Sequence, residues 1–90
     1  MPIPIERVHV AIRAECDEIC ELLLVKNAAY GDSIFNPVRI FSKSEPEEAL
    51  RVRIDDKLSR ILKGLSAGED VELDLIGYLI LMRIARRIKE

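Results

Sequence analysis

Apolar residues recur along the chain with the period of an α-helix in three separate segments. In the first, they follow steps of three and four from Ile5 onward, which predicts an amphipathic helix from Ile5 to about Lys26, before the helix-breaking Gly31. The apolar stripe of this helix consists of Ile5, Val8, Ile12, Cys16, Ile19 and Leu23. No useful stretch shows the period of two that is typical of a half-buried strand. The pattern therefore predicts an all-α fold.

A second helix is predicted to begin at Ser44. Ser44 and Glu47 have the spacing of a capping box, Pro46 is tolerated in the first turn, and Gly64 is suited to the C-cap. The apolar stripe of this helix consists of Leu50, Ile54, Leu58 and Ile61.

A third helix is predicted from Glu69 or Asp70 to the basic segment RIARRIKE, with charges that suit the helix dipole at both ends. It is apolar over too much of its circumference for two neighbours from one small chain to cover. We therefore expect residues 1–90 to form a single all-α domain of three helices, which assembles as a homodimer or higher oligomer into a helical bundle.

The connection between the first two helices is unusually long. AAYGDSIFNPVRIFSK has sixteen residues, and loops of this length without secondary structure are often functional. It carries five apolar residues that need cover: Ile34, Phe35, Val38, Ile40 and Phe41. Two interpretations stay open, an irregular segment that caps the core and a lid or wall of a ligand pocket.

Composition narrows the class of protein. A formal net charge of −2 and a pI near 5.5 argue against a general nucleic-acid binder. The N-terminus does not resemble a signal peptide, and the longest apolar run, Leu75 to Met82, is too short to span a bilayer, so we expect a soluble cytoplasmic protein. Cys16 and Cys20, the two cysteines, are expected to be reduced thiols in the core.

Asp74 lies in DVELDLIGYLILM, where nearly every neighbour is aliphatic. A buried carboxylate needs a partner. Glu18 and Glu21 share one side of the first helix, and Asp70 and Asp74 share one side of the third. If these sides face each other, four carboxylates converge on a site for Mg²⁺, which prefers oxygen ligands. The alternatives are a solvated acidic face on the first helix and a direct salt bridge from Asp74 to a basic residue of the second.

The second helix carries a basic stripe, Arg53, Lys57 and Arg60, at spacings of four and three. Asp56 can hold both arginines in place. These residues form either exposed intrahelical ion pairs or a clamp for the phosphates of a nucleotide, since arginine forks match phosphate oxygens.

The segments KNAAYGDSIFNPVRIFSK, RVRIDDKLSRI and DVELDLIGYLIL, in this order, resemble the first nucleotide-modification-associated domain family of phages and bacteria. The resemblance covers roughly residues 18 to 82. That family is similar to the MazG-like all-α nucleoside triphosphate pyrophosphatases, which bind Mg²⁺ through a Glu-x-x-Glu and a Glu-x-x-Asp motif and work as dimers or higher oligomers.

The resemblance implies Mg²⁺-dependent hydrolysis, with Mg²⁺ or Mn²⁺ as cofactor, of a nucleoside or deoxynucleoside triphosphate to the monophosphate and pyrophosphate. Glu18, Glu21 and Asp74 match the acidic positions, but Val71 stands where the second motif has Glu, and Asp70 is the possible substitute. The substrate is expected at Arg53, Lys57 and Arg60, with Lys26, Asn27 and Tyr30 at the pocket mouth and Tyr30 stacking on the base. The alternative is a non-catalytic nucleotide-binding or helical interaction module.

Overall fold

The computed structural model describes residues 1–88, which form three α-helices: α1 (Ile5–Ala29), α2 (Pro46–Lys63) and α3 (Val71–Ile88). Those residues include no β-strand, and the predicted all-α, three-helix fold is confirmed. α1 continues about one turn beyond the predicted end, where the amide of Tyr30 donates to the carbonyl of Lys26 at 3.0 Å.

The core lies between α2 and α3, which pack side by side as an antiparallel hairpin. Leu50 of α2 is completely buried against Met82 and Ala85 of α3. Five partly buried apolar residues pack around this cluster: Ile34, Phe35, Ile54, Tyr78 and Leu81. The burial of these side chains, at about 25 cal/mol per Å² of apolar surface, is the main force that holds the hairpin together.

Two of the predicted helix ends differ from the structure. The capping box at Ser44 is wrong, because α2 begins at Pro46 and its N-cap residue, Glu45, makes no side-chain capping bond. α3 begins after Asp70, whose carboxylate accepts a hydrogen bond from the amide of Leu73 at 3.0 Å and so caps the helix. The predicted C-cap at Gly64 is confirmed, with a φ of 69° in the left-handed region.

The apolar stripe predicted for α2 holds only in its first half. Leu58 and Ile61 are exposed, and Lys57 is buried in their place.

Only some of the apolar side chains of the long loop are covered by the rest of the protein, although all five were expected to be. Ile34 and Phe35 pack on the core, whereas Val38, Ile40 and Phe41 are exposed, Phe41 almost completely.

α1 touches the hairpin only through its C-terminal part. Ile19 is its one buried residue, and residues 1–18 are exposed throughout. The prediction that Cys16 and Cys20 are core thiols is wrong, because both are free thiols with exposed side chains. Within residues 1–88, no helix is both long enough and apolar enough to cross a lipid bilayer.

Candidate functional site

Asp74 projects from the first turn of α3 toward both other helices and is held there by two lysines. The ammonium of Lys26 on α1 lies 3.0 Å from Oδ1, and the ammonium of Lys57 on α2 lies 3.3 Å from Oδ2. The salt bridge between Asp74 and Lys57, one of the two alternatives left open by the sequence, is thus present. Lys26 was expected at the mouth of a pocket and not as a partner of this carboxylate.

These contacts shift the pKa values of the pair in opposite directions. Partial burial alone raises the pKa of Asp74, but the hydrogen bonds and charges of Lys26 and Lys57 outweigh it and lower the pKa below its ordinary value of 3.8. Burial alone lowers the pKa of Lys57, and the hydrogen bonds to Glu69 and Asp74 outweigh it and raise the pKa above 10.5. Both groups are therefore charged at neutral pH.

The basic stripe of α2 does not act as a unit. Lys57 is only 8% exposed, and its ammonium group forms an ion pair with Glu69 at 3.2 Å in addition to the one with Asp74. Arg60 pairs with Glu69 at 2.6 Å and with Asp56 at 3.3 Å. In the single chain, Lys57 and Arg60 join α2 to the turn before α3 through Glu69. The three-residue phosphate clamp stays a prediction.

Arg53, the third member of the stripe, has a different environment. Its guanidinium carbon lies 5.9 Å from the centre of the Tyr78 ring, a cation–π distance. Asp56 was expected to hold it as well as Arg60, but among residues 1–88 Arg53 makes no ion pair. Arg53 is the one cation of the stripe that keeps its donors available.

A cleft of about 330 Å³ opens between α1, α3 and the start of the long loop. Its polar side chains are Lys26, Asn27, Tyr30, Ser33, Arg53 and Asp74, and its apolar walls include Ile19, Leu22, Leu23, Ile34, Leu73, Tyr78 and Leu81. The ring of Tyr30 is largely exposed at the edge. The structure therefore places five of the residues selected from the sequence, Lys26, Asn27, Tyr30, Arg53 and Asp74, around one cavity.

A second cleft, of about 390 Å³, lies beside the first, under the long loop. The two clefts share Ser33, Ile34 and Arg53. Arg39 and Phe41 line the second cleft only, and Arg39 donates to the carbonyl of Ser44 at 3.0 Å. Arg53 therefore stands at the boundary between an apolar cleft with two tyrosines and a cleft that contains a second arginine.

The four carboxylates expected to bind Mg²⁺ do not converge in the single chain. Glu18 and Glu21 are exposed on α1. Glu21 is two residues from both Ile19 and Leu23, which line the cleft, and so lies roughly half a turn around the helix from each. Asp70 caps α3, and Asp74 is neutralised by lysines. Residues 1–88 contain no group of three His, Cys, Asp or Glu side chains arranged to hold a metal ion.

Gly77 of α3 faces a side chain of α1. A Cβ atom at this position would lie 2.9 Å from Cδ2 of Leu23, at the far end of a flexible side chain. The sequence predicted a close approach at Gly77, but by another backbone or a ligand. The actual neighbour is a leucine side chain.

Sequence reasoning missed two residues of the site. Glu69, which joins Lys57 and Arg60, belongs to the turn after α2, and no periodicity relates it to that helix. Tyr78 lies within a segment that carries the family resemblance, which predicts no role for it. In the structure its ring lies under Arg53 and forms part of the cleft wall. Its position one turn after Asp74 on α3 is the signal that was available.

Compared with models of protein families, with curated proteins and with solved structures, this chain gives no match.

Proposed function

We propose that this protein is a nucleotide-binding module and that the cleft between α1 and α3 is its binding site. The observation that carries the proposal is the chemistry of the lining. The cleft combines two tyrosine rings and apolar walls with Lys26 and Arg53. An aromatic base is recognised by ring stacking and apolar contact, and phosphate by the guanidinium fork and the ammonium group.

Arg53 is the residue best placed to bind the phosphates. Lys26 is occupied by Asp74, whereas Arg53 faces only the ring of Tyr78 within the described residues. A base stacked on Tyr30 in the first cleft would direct its phosphates toward Arg53 and the neighbouring cleft, where Arg39 adds a second cation. This arrangement supports a nucleotide with several phosphates over a nucleoside.

The test is a calorimetric titration with a panel of ribo- and deoxyribonucleoside triphosphates, with and without Mg²⁺. Arg53→Gln should weaken binding at least about tenfold, because a charge-assisted hydrogen bond contributes about 1.5–3 kcal/mol. Arg51→Gln is the matched control, since Arg51 lies on the same helix outside both clefts and pairs with Glu47 and Glu48. Failure of every nucleotide to bind, or equal loss in both variants, would contradict the proposal.

Hydrolysis of the bound triphosphate to monophosphate and pyrophosphate is the second candidate. Glu18 and Glu21 favour it, since they lie one turn apart and neither makes an ion pair within residues 1–88. Mg²⁺ or Mn²⁺ would need ligands beyond those that one chain brings together. Pyrophosphate release that requires a divalent cation and disappears in Glu18→Gln would support turnover, and binding without release would leave the module non-catalytic.

We also propose that the chain associates with itself. Its accessible surface is 7390 Å², whereas a compact monomer of 10.2 kDa would expose about 5,300 Å². Its radius of gyration is 15.7 Å, against about 12 Å expected for this length. The excess of roughly 2,000 Å² is ample for a stable interface, which buries about 800 Å² per partner. Sedimentation equilibrium that gives a monomer at all concentrations would contradict this proposal.

A further inference from the structure

The wall of the second cleft is mostly apolar. It is formed by Ile34, Pro37, Ile40, Phe41, Pro46 and Ala49, together with three serines and two arginines. The phosphates of a nucleotide bound in the first cleft would lie at the boundary, where Arg53 belongs to both clefts. They would leave the apolar part of the second cleft open. An apolar wall suits a flat ring, whereas phosphate oxygens need hydrogen-bond donors.

Each cleft has one aromatic ring that is largely exposed. Tyr30 is 71% exposed at the first cleft, and Phe41 is 95% exposed at the second. The other two aromatic residues of the chain are held in place, since Phe35 packs on the core and Tyr78 lies under Arg53. An aromatic side chain usually buries a large area. The rings of Tyr30 and Phe41 therefore each keep a face on which a base can stack.

The two arginines of the second cleft are free to bind anions. Within residues 1–88, neither Arg39 nor Arg53 makes an ion pair. Arg39 donates to the carbonyl of Ser44 at 3.0 Å, and a guanidinium has five N–H donors, so most of its donors stay available. Two such cations beside two exposed rings match phosphates that carry a base at each end.

We infer that the ligand is a dinucleoside polyphosphate. One base stacks on Tyr30 in the first cleft, the other stacks on Phe41 in the second, and the phosphates between them bind Arg53 and Arg39. This inference rests on the proposed nucleotide binding and names the class of nucleotide. Single-stranded RNA or DNA also joins bases through phosphate, but a net charge of −2 and a pI near 5.5 disfavour it.

The first test compares ligands that differ by one nucleoside. A dinucleoside tetraphosphate and the matching nucleoside tetraphosphate contain the same phosphates, and the second is the more highly charged. A preference for the first therefore reports the added nucleoside and not charge. With adenine, guanine, cytosine or uracil as the base, calorimetry should show the dinucleoside binding about tenfold tighter for at least one base, as expected from one more stacked ring. The stoichiometry should be one ligand per chain.

The second test changes the ring in the second cleft. Phe41→Ala should bring the two ligands to within about twofold of each other, because the stacked ring is lost, and Phe41→Tyr should restore the preference. Since Phe41 is almost fully exposed, the melting temperature should stay that of the wild type. Val38→Ala is the control, because Val38 is exposed on the same loop and lines neither cleft. Its preference should equal that of the wild type.

A third measurement locates the second base directly. The chain contains two phenylalanines, so protein with labelled phenylalanine gives two sets of ring signals in an NMR spectrum. The dinucleoside tetraphosphate should shift the Phe41 ring protons upfield through the ring current of the stacked base. The nucleoside tetraphosphate should shift them much less. Phe35, packed on the core, is the internal reference.

The outcomes separate this inference from the nucleotide-binding proposal. If no mononucleotide and no dinucleotide binds, both are refuted. If nucleoside tetraphosphates bind as tightly as dinucleoside tetraphosphates for every base, the nucleotide-binding module stands and the second base is refuted. A dinucleoside preference that persists in Phe41→Ala would also overturn the inference. Tighter binding of a tetranucleotide of the same base would assign the two clefts to single-stranded nucleic acid and overturn it as well.

Discussion

At the scale of single residues, Asp74 holds two lysines that differ in exposure. Lys26 is about half exposed, whereas Lys57 is almost fully buried. If the carboxylate is lost, Lys26 can be hydrated by water at little cost, but Lys57 keeps only Glu69 as a partner. The contribution of Asp74 to stability therefore comes mainly from its contact with Lys57.

Asp74→Asn should lower the free energy of unfolding by about 1–3 kcal/mol, as measured by urea denaturation. Breaking a fully buried ion pair costs about 3–5 kcal/mol, and the remaining contact of Lys57 with Glu69 reduces that figure. Asp55→Asn, a matched change at an exposed position of α2, should stay within about 0.5 kcal/mol of wild type.

A metal-bound Asp74 predicts the opposite result. The asparagine variant would then be as stable as the apo wild type or more stable, and Mg²⁺ would raise the melting temperature of the wild type only. That outcome would restore the metal site expected from the sequence and contradict the assignment of Asp74 to its lysines.

Stability should fall at both ends of the pH range, for separate reasons. Asp74 has a lowered pKa, so its contribution is complete above 3.8 and is lost as the pH falls through its folded value. Lys57 has a raised pKa, so its contribution is complete below 10.5 and is lost as the pH rises through its folded value. The difference in melting temperature between wild type and Asp74→Asn should therefore be constant near neutral pH and shrink below about pH 4. A difference that persists in acid would contradict this linkage.

At the scale of helices, two glycines have opposite roles. Gly64 ends α2 with a φ of 69° and open space around its Cα, so a side chain there would be strained by the backbone alone. Gly77 has ordinary helical geometry inside α3, and an added methyl would meet only the tip of Leu23, a flexible side chain.

Gly64→Ala should lower the free energy of unfolding by about 1 kcal/mol, since the left-handed conformation costs roughly that much for a residue with a Cβ. Gly77→Ala should raise it by about 0.5 kcal/mol, because alanine gains about 1 kcal/mol of helix propensity and the shift of Leu23 removes part of the gain. Paired thermal or urea melts measure both. A destabilising Gly77→Ala would show that Leu23 cannot move and that the contact between α1 and α3 is rigid.

The helices were predictable, but their mutual arrangement was not. The periodicity of α1 is the same along its whole length, so nothing in it distinguishes the covered residue Ile19 from the exposed residue Ile12. Which part is covered depends on where the hairpin of α2 and α3 lies. In α2, the apolar stripe predicts that Leu58 is buried. Lys57 is buried instead, because its ammonium group forms ion pairs with Glu69 and Asp74. Tertiary partners of this kind leave no periodic signal in the sequence.

The sequence predicted which residues could form the candidate site, but only partly which of them lie together in the structure. Lys26, Asn27 and Tyr30 are close in sequence, and one helix end places them together whatever the tertiary packing. Glu18 and Glu21 were grouped with Asp74 only on the assumption that their side of α1 faces α3. α1 in fact presents Ile19, Leu23 and Lys26 to that side, whereas Glu18 and Glu21 are exposed.

At the scale of the whole molecule, the extended outline has a consequence for local stability. The dimensions of 55 × 33 × 24 Å reflect a long helix that reaches beyond a small hairpin. Exposed helices with few buried contacts open locally at low free energy. In a single chain, the backbone amides of residues 5–18 should therefore exchange with solvent much faster than those near Leu50 and Met82.

Hydrogen exchange measured over a range of protein concentrations tests whether a second copy covers this helix. In dilute solution, amides of residues 5–18 should exchange nearly as fast as those of an unfolded chain, because an isolated helix of this length is marginal in water. As association proceeds, their protection should increase with concentration by mass action, while the amides around Leu50 stay unchanged. Strong protection of residues 5–18 that does not depend on concentration would show that the helix is stable alone and needs no partner.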